Sequence, residues 1–152
     1  MKNFILAFVL AASALFTTGL SAKDTDREIV AKTVFAESLG ETMEGKIAVA
    51  SVIVNRTTTK GYPHTIAKVC FQKNAFESVT KKSRLWKKVN GGQLNEVEQA
   101  KYAECLAAAD IALAGEGVPE ITAFRELKCK GGEKYFSKLE LVGIIGHHRF
   151  YK

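Results

Sequence analysis

The chain has 152 residues, 47% of them hydrophobic and 25% charged, with a formal net charge of +6 at pH 7. That length suits one domain with a modest core, and the lack of repeats, low-complexity tracts and proline-rich linkers argues against a second module. The positive balance draws such a protein to anionic polymers or surfaces, and the basic residues are too scattered for a nucleic-acid partner to be expected; the nearest thing to a patch, "TKKSRLWKK", reads as a solvated loop.

Residues 1–22 open with Lys2, continue through the apolar run "FILAFVLAASALF" and end in small and polar residues, the pattern of a secretory signal peptide. The run is short for a membrane span, so no stable membrane insertion is expected once it is removed. An exported domain over 23–152, placed in the periplasm or the extracellular cell envelope, is the expectation.

Thr25-Asp26-Arg27-Glu28 fits a capping box and predicts a helix start. Val30, Val34 and Glu37 then share one stripe, which puts a carboxylate within the apolar face of a helix that Gly40 is placed to end. Glu44 to Arg56, "EGKIAVASVIVNR", is apolar nearly all round and reads as a central buried helix. Gly40, Gly45 and Lys46 nearly spell a phosphate loop, but Ile47 stands where that loop needs a hydroxyl for magnesium, and the segment before it is helical.

Short helical pieces are predicted at "TIAKV" and "SRLWKKV", with a loop at "QKNAFES" between them. A longer helix runs from an Asn95 cap, with Glu98 completing the box, to Gly115, on a stripe of Tyr102, Cys105, Leu106, Ala109 and Leu113. The last third, "ITAF", "KYFSKLE" and "LVGIIGHHRFY", is aromatic and β-branched and predicts short strands with a turn at Gly131-Gly132. Cys70, Cys105 and Cys129 allow one disulfide in an oxidising compartment and contain no C-x-x-C pair for zinc.

Burial raises the pKa of a carboxyl group such as Glu37, and the negative end of its helix pushes the same way. A group so perturbed keeps its proton near neutrality, as a general acid for glycosidic cleavage must. The competing reading is a structural glutamate paired with Arg56 or Arg27.

The stretches "VFAESLGETMEGKIAVASVIVNR", "YPHTIAKVCFQKNAF" and "IGHHRFY" together resemble the SleB-type cell wall hydrolases. The resemblance implies an α+β, lysozyme-like fold, mainly a helical lobe with a small C-terminal β portion, and activity on peptidoglycan glycan strands; a monomer is expected. It places the family glutamate on Glu37 and turns the choice there towards catalysis. One protonated glutamate suffices for a lytic transglycosylase, so neither a cofactor nor a metal is expected. Phe76, His148 and Tyr151 are candidates for lining the glycan groove, with Phe150 beside them. Asn55 is a further candidate near substrate, where it and Arg56 serve to order the site. The family's Gln-Phe-Ser is here Ala75-Phe76-Glu77, which leaves Asn74 as the polar neighbour. A zinc amidase would have to draw on His64, His147 and His148; a basic module that binds peptidoglycan without cutting it is the non-enzymatic alternative.

Overall fold

A computed structural model describes residues 24–152; the expected export segment at 1–22 lies outside the described residues. Helix α1, Asp26–Ser38, starts at the predicted capping box: the Thr25 hydroxyl accepts the Glu28 N–H, and the Glu28 carboxylate accepts the Thr25 N–H. Helix α2, Met43–Thr58, begins after a Thr42 cap and carries the uninterrupted apolar run. Helix α6, Glu96–Leu113, is capped reciprocally by Asn95 and Glu98.

These three helices make the core. Val30, Val34 and Phe35 of α1, Val49, Val52 and Ile53 of α2, and Cys105 and Ala109 of α6 are at or near full burial. Each large apolar side chain so buried contributes roughly 1.5–3 kcal/mol. The face of α6 keeps Tyr102, Cys105, Leu106 and Ala109 of the predicted stripe in or against the core and adds Ala108 and Ala112, while Leu113 is exposed. The small residues Ala108, Ala109 and Ala112 let α1 and α2 come close to α6.

The lysine of the apparent phosphate loop is a structural group. Lys46 is wholly buried, and its Nζ donates to the Glu41 carbonyl at 2.9 Å and to the Glu104 carboxylate at 2.6 Å. It ties the α1–α2 connection to α6, satisfying a charge that would be costly to bury unpaired.

Three short helices, α3 (Ile66–Cys70), α4 (Glu77–Thr80) and α5 (Arg84–Asn90), pack along α1. The sequence anticipates α3 and α5; α4 begins within the segment predicted as a loop.

A three-stranded antiparallel sheet closes the chain, with β3 (His148–Tyr151) between β1 (Ala123–Glu126) and β2 (Leu141–Ile145). "KYFSKLE" is not a strand. Gly131 and Gly132 adopt positive φ of 141° and 73°, and a single helical turn, α7 (Glu133–Phe136), follows. That turn presents Phe136 to the Tyr151 ring at 4.9 Å and to the Arg125 guanidinium at the same distance.

The one disulfide allowed by composition is not formed: Cys70 and Cys105 are buried free thiols and Cys129 is an exposed one. Among the described residues no helix is long and apolar enough to cross a membrane.

Candidate active site

Glu37 sits in the last turn of α1, on the stripe of Val30 and Val34, and is half-buried. Its Oε1 accepts the backbone N–H of Ser78 at 2.9 Å. Ser78 lies in the first turn of α4, where N–H groups have no intrahelical acceptor. Burial raises the Glu37 pKa; Ser78 pulls it back, the negative Glu77 pushes it up again, and the net direction is upward. The position where the resembled family carries Ser thus holds a carboxylate that helps Glu37 keep its proton.

Neither arginine proposed as a structural partner pairs with Glu37. Arg27 forms a two-pronged pair with Asp110, at 2.6 and 2.8 Å. Arg56 donates from Nε to the Thr122 carbonyl at 2.7 Å, and its guanidinium lies 5.0 Å from the centres of both the Tyr62 and Phe76 rings. Among the described residues no salt bridge to Glu37 offsets the rise that burial causes in its pKa.

Glu37 opens into a cleft of about 410 Å³, whose walls include Glu77, Ser78, Phe124, Arg125, Phe136 and His148. A second hollow of about 350 Å³ shares Arg56, Ala75, Phe124 and Phe136 with the first and extends to Tyr62, Lys73 and Tyr135. The Tyr62 and Tyr135 hydroxyls are 3.4 Å apart, joining the helical lobe to α7. The result is an extended groove between the lobes, floored by aromatic rings and rimmed by hydrogen-bonding groups.

Of the residues proposed from sequence, Glu37 and His148 meet in this cleft. Phe76 is 1% exposed and lies beneath Arg56, so it shapes the floor from below. Tyr151 is buried; its hydroxyl accepts from Arg125 Nε at 3.3 Å and its ring supports Phe136. Phe150 is also core. Asn55 is engaged elsewhere, donating through Nδ2 to the Val118 and Ile121 carbonyls, both at 2.9 Å. Asn74 lines the second hollow, not the Glu37 cleft.

Sequence reasoning missed Ser78, Phe124, Arg125 and Phe136. A backbone donor leaves no side-chain signal, and Phe136 lay in a segment predicted as strand. His64 rests against the Thr57 carbonyl at 3.2 Å, and among the described residues no group of three His, Cys, Asp or Glu side chains is arranged to hold a metal ion.

A family model described as Cell Wall Hydrolase matches residues 40–151, a span that begins just after Glu37. A spore cortex-lytic enzyme of Bacillus cereus is 43% identical over 54 residues, which cover 36% of this chain and 21% of that protein. The corresponding enzyme of Oceanobacillus iheyensis is 37% identical over 65 residues, or 43% of this chain and 23% of that protein. The matched segment therefore spans about a fifth of the length of these curated relatives. Among solved structures, the catalytic domain of the germination-specific lytic transglycosylase SleB from Bacillus anthracis is similar over 88% of this chain and 99% of that one, with 26% identity and a TM-score of 0.65. The catalytic domain of the Bacillus cereus SleB protein covers 84% of this chain and 89% of its own, with 27% identity and a TM-score of 0.60. The expected architecture, a mainly helical lobe with a small C-terminal sheet, is the one these domains share.

Proposed function

This chain belongs to the cell wall hydrolase family, and from that premise we propose that it is a peptidoglycan-cleaving enzyme, a lytic transglycosylase in which Glu37 serves as both acid and base. The observation that carries this reading is Glu37 itself: a half-buried carboxyl group with a raised pKa and, among the described residues, no salt-bridge partner, opening into a groove between two lobes. A binding module that does no chemistry has no need of such a group.

The proton on Glu37 passes to the oxygen that links N-acetylmuramic acid to N-acetylglucosamine, and the bond from the muramic C1 to that oxygen breaks. The muramic 6-hydroxyl then attacks C1 and returns its proton to Glu37. The product ends in a 1,6-anhydro ring, no water is consumed, and the carboxyl group finishes protonated as it began. The Ser78 N–H holds the carboxylate in place during the interval in which it is charged.

The aromatic walls formed by Phe124 and Phe136, with Arg56 and Arg125 beside them, suit a chain of sugars that also carries carboxylates. Action in the cell envelope, outside the cytoplasm, follows from the export pattern at residues 1–22 and from the substrate.

Digestion of purified peptidoglycan, followed by mass spectrometry of the new ends, tests the proposal. Anhydromuramic ends support it. Reducing ends would indicate a hydrolase, with Glu77 or Glu126 as the second carboxylate in the cleft. Free stem peptides would indicate an amidase, and intact strands a binding protein.

A further inference from the structure

Glu41 is nearly buried, at 8% exposure, although it lies in the connection between α1 and α2. Its carboxylate reaches the turn between β2 and β3. Oε2 accepts the His147 backbone N–H at 3.0 Å, and Oε1 lies 3.0 Å from His147 Nδ1. The turn is shaped around this acid: Gly146 has φ of 58°, and a Cβ built there would come within 1.9 Å of Glu41 Oε2. Only glycine lets the carboxylate and the hairpin approach so closely.

The second histidine of the pair behaves differently. His148 is 4% exposed, with the Phe124 ring edge-on at 5.1 Å. Its Nδ1 is buried without a hydrogen-bond partner and lies 3.6 Å from Glu41 Oε1, too long for a hydrogen bond. A buried imidazole nitrogen left without a partner calls for an explanation, and the nearby carboxylate supplies one. The oxygen that Nδ1 faces is shared with the exposed ring of His147, so a small shift moves it from one histidine to the other. The ring of His148 also lines the Glu37 cleft.

The geometry points to Glu41 as a positioning residue that holds the His148 ring with a protonated Nδ1 towards its own carboxylate and with Nε2 towards the cleft, where Nε2 accepts a hydrogen bond from a hydroxyl or amide N–H of the bound glycan. This rests on the reading of the cleft as a glycan site. A carboxylate beside one imidazole nitrogen selects the tautomer that leaves the other as an acceptor. The groups facing His148 support a neutral ring. Burial lowers its pKa, Glu41 and Glu126 oppose that, and His147 adds to the lowering. Burial would raise the Glu41 pKa, but the donors from His147 and both neighbouring imidazoles bring it below its ordinary value, so the acid is charged. Since Glu41 follows Glu37 by about one helical turn, the same contact also ties the end of the catalytic helix to the wall of the cleft that faces it.

The test has a spectroscopic arm and a kinetic arm. In the protein without substrate, long-range ¹H–¹⁵N NMR of His148 should show the neutral tautomer protonated at Nδ1, and Glu41→Gln should shift it towards Nε2–H. With peptidoglycan fragments, Glu41→Gln should raise KM and lower kcat/KM about 10-fold, the loss of one well-placed hydrogen bond. Because Glu41 acts through His148, Glu41→Gln should cost nothing further in a His148→Gln background. An Nε2–H tautomer in the unaltered protein overturns the inference, as do fully additive losses, which would mark Glu41 as a structural staple only. Should Glu41→Gln fail to fold, the tautomer of the unaltered protein decides. Absence of anhydromuramic ends would defeat the transglycosylase reading while leaving the tautomer result to judge the Glu41–His148 pair separately.

Discussion

Glu37 Oε1 accepts the Ser78 backbone N–H at 2.9 Å, a contact that brings the end of α1 against the start of α4. The bond needs only an oxygen acceptor. A glutamine at position 37 keeps that acceptor and loses the transferable proton. Glu37→Gln is therefore expected to lower peptidoglycan cleavage by at least about 100-fold, the usual scale of general acid catalysis. Its melting temperature should be unchanged or higher, since a neutral amide avoids the desolvation cost of a buried carboxylate. Melting and digestion on one sample check this. A less stable protein with undiminished activity would remove Glu37 from the chemistry.

The raised pKa of Glu37 has consequences for both rate and stability. For rate, kcat/KM should fall as pH rises through the folded-state value, because the acid loses its proton. For stability, the folded protein holds this proton at pH values where the unfolded chain, near the ordinary 4.5, has released it. The folded state then binds more protons than the unfolded state, so stability falls with rising pH across the window from 4.5 to the raised value. Denaturant titrations across that window, repeated on Glu37→Gln, should show this component of the slope vanish in the variant. An identical pH slope in the two proteins would contradict the assigned protonation.

Asn55 is expected to act on folding and not on substrate. Its Nδ2 satisfies the carbonyls of Val118 and Ile121 in the segment that leads into β1. Asn55→Ala leaves both acceptors without this donor, at a cost on the order of 1–3 kcal/mol. Chemical denaturation should register that loss, while KM measured on the folded fraction stays the same. A raised KM with unaltered stability would instead place Asn55 in contact with substrate.

The three thiols should separate cleanly in reactivity. Burial pushes Cys70 and Cys105 up to about 12, whereas Cys129 is exposed and forms part of the Glu37 cleft. A bulky maleimide should therefore attach once to the native protein and three times to the denatured one. The native adduct should cleave peptidoglycan more slowly, and Cys129→Ser should be insensitive to the reagent. Full activity of the singly labelled protein would mean that substrate does not pass Cys129.

Sequence alone determined the features written in short-range bonds. Thr25 with Glu28 and Asn95 with Glu98 close hydrogen bonds three residues apart, so the starts of α1 and α6 were legible. The 3.6-residue period likewise put Glu37 on the stripe of Val30 and Val34. The face of α6 was legible at Tyr102, Cys105, Leu106 and Ala109; alanine has no preference strong enough to mark Ala108 and Ala112 as buried as well, and the tertiary packing left Leu113 exposed. The surroundings of Glu37 were decided by tertiary structure. Ser78 contributes a backbone N–H, which any residue has, and Glu41 meets His147 across 106 positions of chain. Phe136 reaches Tyr151 and Arg125 from a helical turn that follows two glycines at positive φ, where the adjacent aromatics Tyr135 and Phe136 had suggested a strand. Periodicity and capping record the hydrogen bonds a segment makes with itself. The raised pKa of Glu37 depends on desolvation and on groups from distant segments, and those come together only in the folded chain.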